Sequence, residues 1–164
     1  MGKNKAFAHF GAAGRNHVWS WSARTPDGKT VVLTLWEDQF DRTATPVTYS
    51  NFNSKDLAFW KDQLGNRERK ENIKWAKKNC GNRFRVVITK AKDKDAQPRS
   101  IADAQPDDNL IMKITDFNES TGEFSAVSVE ISELPADLAS AILSDLDSLR
   151  APGGTVEDGD TIIG

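Results

Sequence analysis

Cysteine is nearly absent: Cys80 stands alone in 164 residues, so no intrachain disulfide can staple the fold. Histidine is scarce too, and His9 and His17 with one cysteine are too few for a zinc centre. Apolar runs such as Val31-Val32-Leu33 fall far short of the roughly 18–20 residues of a membrane span. The first ten residues carry lysines with no apolar stretch behind them, which is no secretory signal. The expected setting is a reducing cytoplasm, with no membrane partner. Phosphate-loop, Rossmann and Gly-x-Ser-x-Gly patterns are all missing. No cofactor is expected, and no catalytic residue is assigned.

What the chain does have is segregated charge. Residues 1–100 hold 20 Lys+Arg against 10 Asp+Glu, and residues 101–164 hold 2 against 14, so a net charge of -2 hides +10 and -12. The densest basic stretch, residues 67–99, has 12 basic and 4 acidic side chains. Such asymmetry points to a polyanionic partner, or to a basic and an acidic face on one fold.

Residues 1–14 are rich in glycine and alanine and are expected as a loose arm. Residues 18–24 and 30–40 read as strands joined at Pro26-Asp27-Gly28, a turn tripeptide. In the second strand Val31, Leu33 and Leu35 share one face, and Val32, Thr34, Trp36 and Asp38 the other. Helices are expected at 55–64, ending at Gly65, and at 66–79. Strands follow at 83–92, 110–117 and 123–131, and a closing helix at 136–150. Residues 151–164, Gly- and Asp-rich, read as a disordered acidic tail. The expectation is one α+β domain over 15–150: a small, mostly antiparallel five-stranded barrel flanked by three helices.

Aromatics are the second resource. Five tryptophans is high usage for this length, and aromatic planes are what unstacked bases need, at about 1–3 kcal/mol per base. On a strand, Trp19 and Trp21 share a face, with Trp36 on the partner strand. A base held there would have its edge read by Asn16, Ser20, Ser22 and Asp38. The competing reading is cross-strand core packing. On a helical wheel Ile73, Ala76 and Cys80 make the buried stripe, and Trp75 falls almost opposite, beside Arg67, Lys74 and Lys78. With Arg83, Arg85 and Arg99, this set is expected to meet phosphates. The partner expected is therefore DNA or RNA, and the chain a binding module rather than an enzyme.

Two alternatives stay open. A Mg²⁺-dependent nuclease would use Glu37, Asp38 and Asp41 at a strand end. A protein-interaction domain would dock a basic partner on the acidic C-terminal helix.

The stretch 81–93, GNRFRVVITKAKD, followed by Pro98-Arg99-Ser100-Ile101, resembles the middle strand and following loop of PUA-like domains, closest to the YTH and EVE branch. Val18-Trp19-Ser20 is similar to the segment that supplies a cage aromatic in YTH domains. The resemblance implies a small barrel that reads modified bases in RNA or DNA, as the SRA type also does. It implies Trp19 as a cage residue, with Trp21, Trp36 and Trp60 as candidates for the others. Bacterial members of this kind often serve modification-dependent restriction.

Overall fold

A computed structural model describes residues 1–130, 132, 134–140 and 142–143. The elements in chain order are α1 (Lys3–His9), β1 (Ser22–Arg24), β2 (Val31–Trp36), a 3₁₀ turn (Glu37–Gln39), β3 (Phe40–Asp41), β4 (Thr48–Ser50), α2 (Leu57–Trp60), α3 (Leu64–Asn79), β5 (Arg83–Ala91), β6 (Ile101–Phe117) and β7 (Phe124–Ser128). The class is α+β, as expected. The barrel is not formed. The strands make one open sheet of seven, ordered β1-β2-β5-β6-β7-β4-β3. Every pairing is antiparallel except β2 with β5. The expected five strands miss β3 and β4, which are too short to show periodicity.

The sheet curls without closing. β2 and β3 lie second and seventh in the order, which is roughly 24 Å apart in a flat sheet at about 4.8 Å per strand. Only Glu37–Gln39 joins them, and that link reaches about 14 Å at most. Curvature is therefore built into the connectivity, and it brings β4 near the end of β2.

Both faces of the sheet centre are covered. Val31, Leu33 and Leu35 of β2 pack with Phe84 and Val86 of β5 against Ile73 and Ala76 of α3 and Cys80 just after it. These are the strand face and the helix stripe read from the sequence. Val32, Val87 and Ala104 pack on the other face against Ala6 and Phe7. The first fourteen residues are thus not a loose arm: α1 buries Phe7 completely. Gly65 does not end a helix but lies inside α3, and residues 55–64 keep only the single turn α2. A Cβ at Gly65 would lie 2.5 Å from the Trp21 indole and 2.6 Å from the Trp19 carbonyl, so the helix can approach here only with glycine. Of the closing helix, residues 136–140 and 142–143 are helical, and Leu138 and Ile142 pack on Ile111. Its remainder and the acidic tail at 151–164 lie outside the described residues. No described helix is long and apolar enough to cross a membrane.

Candidate functional site

β1 pairs with β2 only from Ser22 to Arg24, opposite Val31 to Leu33. Past Leu33, β2 runs on to Trp36 with no β1 ladder beside it. In place of the expected strand, residues 16–20 close a turn. Asn16 Oδ1 accepts the amides of Val18 and Trp19 at 2.7 and 3.3 Å, and the Ser20 amide donates to the Asn16 carbonyl at 3.1 Å. An Asn side chain competing for local amides is what breaks the strand there. The space left beside the end of β2 is a recess of about 430 Å³.

Its walls come from several elements. β2 supplies Thr34 and Trp36, β4 supplies Tyr49, and α2 supplies Phe59 and Trp60. Trp21 enters from the turn before β1, and Arg69 from α3. Arg99 and Ile101 come from the loop before β6 and from its start, and Lys3 from the start of α1. Trp21, Trp36 and Trp60 belong to none of the buried hydrophobic clusters, whereas Trp75 does.

Arg69 is the distinctive group. It is 5% exposed, and its guanidinium carbon lies 5.1 Å from the ring centroids of both Trp21 and Trp60 and 5.4 Å from that of Phe124. Among the described residues its one hydrogen bond runs from Nη2 to Asn66 Oδ1 at 3.0 Å, and its Nε has no partner. No carboxylate pairs with it among the described residues. Burial lowers its pKa to about 10, so it stays charged at neutral pH. Burial likewise raises the Tyr49 hydroxyl above its ordinary range. It lowers Lys3, whose ammonium donates to the Val18 carbonyl at 3.0 Å.

The residues singled out from sequence separate into groups. Trp21, Trp36 and Arg99 line the recess, and Trp19 does not. Ser20 and Ser22 are wholly buried and spent on structure: Ser20 Oγ accepts the Asn16 amide at 2.9 Å, and Ser22 Oγ accepts from Asn72 Nδ2 at 2.7 Å. With Asn16 holding its turn, none of the three faces the recess. Arg67, Lys74 and Lys78 are exposed on α3. Trp75 is not beside them as a free plane. Its Nε1 donates to the Gly28 carbonyl at 2.7 Å beneath the 26–28 turn, and Arg24 lies over its ring at 4.2 Å. Arg85 reaches toward α1, lying 4.7 Å over Phe10 and donating to the Asp108 carbonyl at 3.0 Å. Arg83 is half-buried at the start of β5.

Asp38 is bound to Arg99 by two hydrogen bonds of 2.7 and 2.8 Å, and Arg99 lies 5.2 Å over Trp36. The pair pins the loop before β6 to the recess wall. The nuclease carboxylates do not converge. Asp38 is committed to Arg99, and Asp41 Oδ1 accepts from Thr43 and Ala44 in its own turn. No group of three or more His, Cys, Asp or Glu among the described residues is placed to hold a metal. The hydrogen bond from Arg99 holds the Asp38 carboxyl below its usual range. A depressed native pKa contributes stability that is present above the unfolded value of about 3.9 and lost as pH falls through the native one. Asp38→Asn is therefore expected to lower the melting temperature at neutral pH, with a deficit that shrinks as pH falls below about 3.9. Thermal melts at neutral pH and at pH values below that point check this, and a deficit that stays constant would contradict it.

Sequence reading passed over Tyr49, Asn51, Lys3 and Arg69 as site residues. For Arg69 a signal existed: on the α3 wheel it falls within about 40° of Ile73, on the buried stripe. A cation there needs an explanation that a solvated face does not.

No protein-family model, curated protein or solved structure matches the chain.

Proposed function

We propose that the chain binds nucleic acid and holds one base, turned out of its stack, in the recess. The observation that carries this reading is the set of three indoles, Trp21, Trp36 and Trp60, around a hollow of about 430 Å³. That volume lies in the range of small-ligand sites, roughly 300–1,000 Å³. Indoles left out of the hydrophobic clusters and turned to a hollow offer faces to a flat ring, at about 1–3 kcal/mol per stacked base. Phe59 is 52% exposed and Val18 73% exposed, both at the mouth of the recess. They give neighbouring bases an apolar surface. Lys3 and Arg99 bring further positive charge to the recess itself, which adds affinity for the strand without sequence preference.

Fluorescent single-stranded and mismatched duplex oligonucleotides, DNA and RNA, titrated at low and moderate salt, test it. Binding is expected to weaken steeply with salt. Trp36→Ala is expected to cost about 1–3 kcal/mol of binding, roughly 5- to 150-fold, with the fold retained. Absence of binding to every oligonucleotide at low salt would overturn the proposal.

A further inference from the structure

Aromatic cages take two kinds of guest, flat rings by stacking and organic cations by attraction to the ring face. The Arg69 side of this recess distinguishes them. Arg69 already places a positive charge over Trp21 and Trp60, so a second cation would meet like charge there. Asp56 is the carboxylate that lines the recess, and it is not bonded to Arg69, whose acceptor is Asn66 Oδ1.

The polar groups there are mostly spent. Thr34 Oγ1 donates to the Trp21 carbonyl at 2.9 Å, Thr89 Oγ1 to the Leu35 carbonyl at 3.1 Å, and the Tyr49 hydroxyl to Gln39 Oε1 at 2.7 Å. Two groups keep donors to spare. Arg69 lines the recess, and among the described residues its guanidinium makes one hydrogen bond, through Nη2. Asn51, 4% exposed, gives its Oδ1 to the Phe124 amide at 2.7 Å, which leaves its Nδ2 as a donor. A buried donor without an acceptor is costly, and more so on a charged group. A ligand that brings an acceptor recovers that cost. We propose that Arg69, with Asn51, is the specificity-determining pair of the recess and selects a ring bearing an exocyclic carbonyl. Its oxygen has two lone pairs and accepts from both donors at once, and guanine, cytosine, thymine and uracil carry one. Adenine offers only ring nitrogens, each with a single lone pair for a single donor. This rests on the nucleic-acid reading and narrows it to the keto bases.

The test uses labelled strands of abasic spacers carrying one base, so that only that base can fill the recess. The arms are thymine, cytosine, guanine, adenine and no base. The intact chain is expected to bind the three keto-base strands about tenfold or more tighter than the adenine strand, as one good Arg–base contact discriminates. Arg69→Met is expected to abolish the preference, and Arg69→Lys to keep part of it, each checked for folding by its melting curve. Adenine bound as tightly as the keto bases by the intact chain would overturn the inference while leaving base binding in place. A preference that survives in folded Arg69→Met would overturn it as well. If the fully abasic strand binds as tightly as all the others, base binding itself fails. Should Arg69→Met not fold, the comparison of bases on the intact chain and on Arg69→Lys still decides.

Discussion

Phe7→Ala is expected to destabilise the protein by about 3–5 kcal/mol, a fall in melting temperature of roughly 10 °C for a chain of this size. Phe7 is completely buried, among Val32, Val87 and Ala104 of the sheet and Ala6 and Ala12 of its own segment. Those small neighbours cannot collapse into the space a benzyl group leaves, which is where large-to-small substitutions cost most. The loss extends to the recess, because α1 also carries Lys3 to its wall. If the first fourteen residues were the arm their composition implies, the same change would fall within about 0.5 kcal/mol of neutral. Thermal or denaturant unfolding of the full chain separates the two.

Asn66→Ala is the second large effect, about 2–4 kcal/mol. Asn66 is fully buried on α3. Its Nδ2 donates to the carbonyls of Lys61 and Thr121, both at 2.8 Å, and its Oδ1 accepts from Arg69. One side chain thus ties α3 to the segment after α2, to the turn between β6 and β7, and to the buried cation. Alanine removes all three bonds, and the one to Arg69 lies in fully buried surroundings. The turn depends on the same contact: Gly122, at φ +89°, sits so near that a Cβ there would overlap the Asn66 amide. Oligonucleotide binding is expected to weaken along with stability, since Arg69 loses its hydrogen bond to Asn66. Denaturant melts together with binding measured well below the transition check both. An Asn66→Ala protein of unchanged stability would contradict the buried-network account.

What could be read from the sequence is what local rules decide. The alternation of Val31, Leu33 and Leu35, the Pro26–Gly28 turn, the Ile73, Ala76, Cys80 stripe and the hairpin after residue 117 all follow from period and turn chemistry. The barrel failed on a non-local choice. β2 pairs in parallel with β5 after a crossover that contains β3, β4, α2 and α3, and no window of sequence carries that information. Alternation across 18–24 puts Trp19 and Trp21 on one strand face. Asn16 turns the chain there, and only Trp21 reaches the recess. At the site the aromatic half was legible, in Trp21, Trp36 and the candidate Trp60. The polar half was not. Arg69 sat unnoticed within a basic stretch, because charge counting treats every cation as solvated, while the wheel that placed Ile73 also turned Arg69 inward.

The central claim is that three particular indoles receive the ligand. It is tested most directly by the five indole N–H resonances of the ¹⁵N-tryptophan-labelled chain, assigned by single Trp→Phe changes and followed during titration with a short mixed-sequence single strand. Trp21, Trp36 and Trp60 are expected to shift with the binding curve, while Trp75, bonded to the Gly28 carbonyl beneath its turn, stays in place. Saturable binding that leaves those three resonances unmoved would contradict the account.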